Sequence, residues 1–184
     1  MIFSEQKVAQ IAAFFLARRQ GPMSHMKLMK LMYLADRESM ARFDVPMSDD
    51  FQCNMRNGPV LSSTLNLMNG FIEHRAWSEL ISPISNNEVW LMKPIENLEE
   101  LDELSLSDLS ILEHVFQEHG RKRRWDLVDY THDLPEWVNP GNSSTPIDQT
   151  VTFRAFGCSD EDAQEKTRQM QLRKQLGLKL SEMY

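Results

Sequence analysis

Tyr130, His132 and Asp133 fall in one short segment and are the group best suited by type to acid–base chemistry, an imidazole beside a carboxylate that could orient it. A Thr-His-Asp corner running into Leu134-Pro135 also reads as a helix end, and we favour that reading. His114 and His119 are five residues apart, about 140° around a helix, so they do not converge on a metal ion as an i, i+4 pair does. His119, just before Gly120, reads instead as a cation at a helix C-terminus, stabilised by the dipole. Cys53 and Cys158 stand far apart and outside any Cys-x-x-Cys arrangement, which argues against a zinc ribbon or a redox dithiol. A Gly-x-Ser-x-Gly elbow and a phosphate-cradling glycine loop are both missing from a chain with 7 glycines. We therefore expect no catalytic residue, no metal, no cofactor and no enzyme activity, and keep a hydrolase-like use of His132 and Asp133 as the enzymatic alternative.

The run Arg121-Lys122-Arg123-Arg124-Trp125 combines closely spaced cations with a ring that can stack on a base. It sits on an acidic chain: 20 basic against 27 acidic side chains in 184 residues, a formal charge of -7 and a pI near 5.2. On that background the run reads as a solvated turn or ion-pair surface, then as a contact for an acidic protein; nucleic acid is not the expected partner. The whole chain would favour a basic partner.

The elements that must position these residues are mostly helical. Val8, Ile11, Ala12, Phe15 and Leu16 share one face of a helix from Ser4 to Gln20, stopped by Gly21-Pro22. Leu28, Leu31, Met32 and Ala35 form the stripe of a second helix, capped by Ser24 and running to about Arg42, with Lys27, Lys30 and Asp36 on its flanks. Met32 belongs to the stripe, whereas Met26 and Met29 lie off it as candidates for an exposed, adaptable contact. Phe51 to Met55 reads as a short strand, Asn57-Gly58-Pro59 as punctuation, and Leu61 to Asn69 as a helix ending at Gly70. Trp77 to Met92 reads as a β-hairpin about Ser85-Asn86-Asn87. Helices follow at Ser107 to His119 and Asp126 to Thr131, then a linker at Pro140 to Pro146 and a polar helix beginning at Ser159. The N-terminus carries acid and base ahead of an apolar stretch broken by Arg18 and Arg19, so no signal peptide or membrane span is expected and the cytoplasm is the default location.

Lys27-Leu28-Met29-Lys30-Leu31-Met32-Tyr33-Leu34-Ala35-Asp36, followed by Asn57-Gly58-Pro59-Val60, resembles the opening signature of the Panacea family, the SocA-type antitoxin domain. The resemblance extends through Leu106-Ser107-Asp108, His119-Gly120, Trp125-Asp126-Leu127, Thr131-His132 and Pro135-Glu136-Trp137, covering roughly residues 5 to 140. The chain departs from the family in having Asn57 where many relatives have an aromatic, in lacking Ala-Trp near Cys53 to Arg56, and in the basic Arg121 to Arg124 connection. The resemblance implies an antitoxin that neutralises a toxin protein by direct contact, with promiscuous partner choice and no catalytic constellation. It also allows a proteolytic adaptor that hands the toxin to a AAA+ protease, with the tail through Leu178-Lys179-Leu180 as the place of contact.

The expected architecture is mainly α: a compact helical domain with a small β-hairpin at 1–140, and a linker with a polar C-terminal helix, packed or projecting, at 141–184. Lys27, Lys30, Tyr33, Asp36 and Asn57 are the candidate partner-binding residues as signature positions, with Met26 and Met29 added for their expected exposure. The toxin, its interface and the oligomeric state are not legible in the sequence.

Overall fold

A computed structural model of the protein describes residues 3–71 and 75–181. Its chain runs through α1 (Glu5–Arg19), β1 (Met23–Ser24), α2 (His25–Phe43), β2 (Gln52–Met55), β3 (Gly58–Leu61), α3 (Ser62–Met68), α4 (Ala76–Leu80) and β4 (Glu88–Val89). A 3₁₀ turn at Leu98–Glu100 leads to α5 (Leu106–His119), α6 (Arg124–His132), β5 (Thr145–Pro146), α7 (Gln149–Ala155) and α8 (Asp160–Ser181). The fold is mainly α, as expected. Among the described residues no helix is long and apolar enough to cross a membrane.

α2 is the axis of the molecule. It touches α1, α5, α6, α7, β1 and β3, and every residue from Lys27 to Asp36 is buried. A helix wrapped on all sides has no solvent face, so its polar residues must find partners inside the protein. The flanks that carry Lys27, Lys30 and Asp36 are thus interior as well as the stripe, and the expectation that Met29 is exposed is corrected. Met29 is 2% accessible, and its sulfur accepts the Leu61 N–H at 3.4 Å.

Two small antiparallel sheets flank this axis. β1 pairs with β4, Met23 opposite Val89. The hairpin turn expected at Ser85-Asn86-Asn87 forms, with Asn86 and Asn87 both at positive φ (52° and 63°) and Ser85 and Glu88 exchanging backbone hydrogen bonds. The hairpin is shorter than its apolar pattern suggested, because Trp77 and Leu80 belong to α4 and only Ile81 bridges to Leu91. In the other sheet β2 lies between β3 and β5. Pro59 and Pro146 therefore sit on edge strands, where a missing N–H leaves no gap in a central ladder. β3 delays the next helix to Ser62, and the expected linker is partly strand, Thr145 pairing with Asn54.

The C-terminal segment docks. α7, not anticipated from the sequence, packs against α8, and Phe153 and Ala163 join Met40 of α2 in a second, small apolar cluster. α8 starts with Asp160, Glu161 and Asp162, the polarity its dipole favours, while Leu172, Leu176 and Leu178 remain exposed toward its end. The side chain of Leu180 lies outside the described residues.

Candidate functional site

The polar residues of α2 hold the chain segments around it. Lys27 Nζ donates to the carbonyls of Gly120 (2.6 Å) and Lys122 (2.7 Å), so it supplies a cation to the C-terminal end of α5. His119 does not fill that role. Burial first, then the neighbouring Lys122, pushes its pKa down to about 4, and its Nδ1 lies 3.0 Å from the Lys122 ammonium. At neutral pH His119 is uncharged, and the expectation of a charged C-terminal histidine is corrected.

One turn further along α2, Lys30 Nζ donates to the Pro59 carbonyl at 2.6 Å while 1% accessible. Burial lowers its pKa to about 7. Gly58 makes this approach possible. A Cβ on Gly58 would lie 2.7 Å from Thr131 Oγ1 and 3.0 Å from Lys30 Nζ, and its φ is +95°. Both the space and the backbone conformation require glycine where the β2–β3 turn presses between α2 and α6.

Asp36 is buried and accepts three hydrogen bonds: from the Ser48 N–H (2.8 Å), the Ser48 hydroxyl (2.6 Å) and Gln52 Nε2 (3.2 Å). Burial outweighs these bonds and raises its pKa to about 7. The Ser48 hydroxyl in turn accepts from Asp50 N–H, and Asp50 accepts from Ser63 N–H, Thr64 N–H and the Thr64 hydroxyl at 2.7 to 3.0 Å. A carboxylate from the loop thereby caps α3, whose own N-cap, Leu61, has no side-chain acceptor. Gln52 Oε1 receives a bond from Gln149 Nε2, extending the network to α7.

Tyr33 and Arg37 converge on Glu136. The tyrosine hydroxyl (3.0 Å) and Arg37 Nε (2.6 Å) both donate to Glu136 Oε1, and the glutamate side chain is fully buried. Burial, then the Glu136 charge, pushes the Tyr33 pKa well above its ordinary value. The Arg37 guanidinium also lies 4.8 Å from the centre of the Phe156 ring, so a residue after α7 backs the pair. Glu136 Oε2 and Asn54 Oδ1 are buried without a hydrogen-bond partner.

The outer face of this assembly is the β2–β3 turn. Arg56 and Asn57 are exposed at its tip. Trp137 Nε1 donates to the Met55 carbonyl at 3.3 Å, and His132 stacks on Trp137 with ring centres 3.8 Å apart. Of the seven sequence candidates, Lys27, Met29, Lys30, Tyr33 and Asp36 are interior, Met26 is half-buried and Asn57 is exposed.

Arg37, Ser48, Asp50, Gln52 and Asn54 were not singled out from the sequence, and Glu136 appeared there only within Pro135-Glu136-Trp137. Arg37 lies four residues after Tyr33, one turn along the same face of α2, which is the one signal the sequence carried for it; the others carry no local signal. Tyr130, His132 and Asp133 do not come together as a reaction centre. His132 faces Trp137, whereas the Tyr130 ring lies against His119 at 4.9 Å. Among the described residues no group of three or more His, Cys, Asp or Glu is placed to hold a metal ion.

No curated protein and no solved structure matches the chain. A family does, over residues 28–138, a span that contains Lys30, the Gly58-Pro59 turn and Glu136. The chain belongs to the SocA-like antitoxin family, and those residues are its Panacea domain.

Proposed function

We propose that this protein is the antitoxin of a toxin–antitoxin pair and neutralises a cognate toxin by direct contact, covering the toxin's active surface. Membership of the SocA-like antitoxin family is the observation that carries this reading. The arrangement of the signature residues supports it. Lys30 holds the β2–β3 turn at Pro59, Tyr33 holds the Glu136 corner after α6, Lys27 holds the α5–α6 connection and Asp36 the loop ahead of β2. Rigid placement of a short exposed turn suits recognition, because a preorganised contact loses little freedom on binding. On this reading the toxin meets Arg56 and Asn57, with Met26 as a second point of contact. Lys27, Met29, Lys30, Tyr33 and Asp36 position that surface from within.

Co-expression with the product of the adjacent gene tests the reading, with growth and co-purification scored together. Rescue of growth with a stable complex is expected. A neighbour that is neither toxic nor bound overturns it. Paired Arg56→Glu and Asn57→Arg substitutions should abolish rescue while leaving the melting temperature unchanged; full rescue by that variant would move the interface elsewhere.

A second reading, delivery of the toxin to a AAA+ protease, draws on the exposed Leu176 and Leu178 toward the end of α8. Removal of residues 175–184 tests it. That cut spares Ala163 and Met170, which pack in the second core cluster, and Lys174, which donates to the Asp50 carbonyl at 3.1 Å. An unchanged toxin half-life would discard the adaptor and keep direct neutralisation.

A further inference from the structure

A cavity of about 340 Å³ opens where the end of α1, the start of α2 and the α5–α6 turn meet. Arg19, Lys27, Arg121, Lys122, Arg123 and Arg124 line it, with Glu88 as the single acidic residue in the wall. Two stretches about a hundred residues apart in sequence, 19–27 and 121–124, thus bring six basic side chains to one cavity of an acidic chain. Like charges gathered in this way repel one another unless an anion joins them. Compensation from the protein is slight. Lys27 and Lys122 donate to backbone carbonyls and Asp126 takes Arg123 at 3.4 Å, whereas the side chains of Arg19 and Arg121 make no hydrogen bond or ion pair with any described residue.

Two further features suit an anion. The cavity lies at the N-terminal end of α2, a 19-residue helix whose dipole is positive there. Ser24, the residue at that end, makes no side-chain cap bond, and its buried Oγ, in a residue of the cavity wall, has no partner. The Lys27 pKa is lowered by burial and then by Arg19, so the cations feel each other.

We propose that this cavity binds closely spaced phosphate groups, of the kind carried by a nucleoside polyphosphate. Carboxylates of a docked protein bring one charge each with the bulk of a side chain. A tripolyphosphate brings several charges in a volume that a cavity this size can hold, and guanidinium forks match phosphate oxygens in pairs. Trp125 is exposed just beyond the rim, its ring 5.4 Å from the Arg124 guanidinium, and offers a face to a base. The site does not depend on the antitoxin reading.

The test is calorimetric titration of the full chain with inorganic tripolyphosphate, with ATP and with a 12-nucleotide single-stranded RNA, repeated for R19Q/R121Q and for Arg173→Gln. Neither substituted arginine of the double variant makes a contact the fold needs. Saturable binding of tripolyphosphate and ATP, one per chain, is expected, weakened roughly tenfold or more in R19Q/R121Q and unchanged in Arg173→Gln. Tighter binding of ATP than of tripolyphosphate, lost in Trp125→Ala, would assign the base to that ring; equal affinities would assign the site to the phosphates alone. Absence of saturable binding, or affinity indifferent to R19Q/R121Q, overturns the proposal. So does RNA binding that tripolyphosphate fails to displace, since that would mark an extended strand surface.

Discussion

Lys30 offers the sharpest test of how the α2 residues work. Its ammonium is 1% accessible and donates to one carbonyl, Pro59, so the charged form has lost its water for a single hydrogen bond at 2.6 Å. With the folded pKa near 7 and the unfolded value near 10.5, the unfolded chain binds more protons between those limits. Stability must therefore rise with pH from about 7 toward 10, since the slope follows the protons bound in the unfolded minus the folded state. Each pKa unit is worth about 1.4 kcal/mol, which gives a gain of about 2 kcal/mol between pH 7 and 9. Lys30→Met keeps the length of the side chain and removes both the charge and the slope. Urea unfolding of the two proteins at pH 7, 8 and 9 measures the difference; the methionine variant should hold its midpoint while the parent gains. Asp36, whose raised pKa makes stability fall as pH climbs from about 4 to 7, is present in both proteins and cancels. Parallel pH profiles above pH 7 would show that the ammonium is not desolvated and would refute the reasoning.

Arg37→Met should cost about 3–5 kcal/mol, because it leaves the fully buried Glu136 carboxylate with Tyr33 as its remaining side-chain donor; chemical denaturation reads this directly, and a loss below 1 kcal/mol would show that the Arg37–Glu136 pair is not what holds this corner. Gly58→Ala should lower stability by about 1–3 kcal/mol, since it meets both an unfavourable φ and the Thr131 and Lys30 atoms, and an unchanged melting temperature would show that the turn can move away from α2. Asp50→Ala removes three bonds to the start of α3 and should cost about 1–3 kcal/mol, with amide exchange in 62–68 accelerating ahead of the rest of the protein. His119 should stay neutral to well below pH 6 in a proton NMR titration, reaching its midpoint near 4; a midpoint at 6.5 would return it to the role of helix-end cation.

Much of the helical layout is written in local pattern. The Val8–Leu16 stripe gave α1, with Ser4, taken as its first residue, serving in the fold as its cap by accepting from Lys7 N–H, and paired asparagines between apolar runs gave the turn at 85–88 because two residues at positive φ suit asparagine. The family signature was also legible, since it is carried by residue type and spacing. What lay beyond local pattern was burial on all sides of α2. Periodicity divides a helix into an apolar and a polar face, and that division fails where neighbours cover both.

Composition, the longer helices and family were determined by the sequence itself, because each depends on residues close together along the chain. The use of Lys27, Lys30, Tyr33 and Asp36 as interior struts was decided by tertiary structure. So was the choice of Glu136, 103 residues from Tyr33, as the acceptor its hydroxyl needs. The convergence of Arg19, Lys27 and Arg121–Arg124 on one cavity belongs to the same class: a run of four basic residues reads as a solvated turn until the end of α1 and the start of α2 are folded against it. The physical reason is common to both. A buried polar group or an uncompensated charge takes its meaning from the partner it faces, and only the folded chain brings that partner within reach.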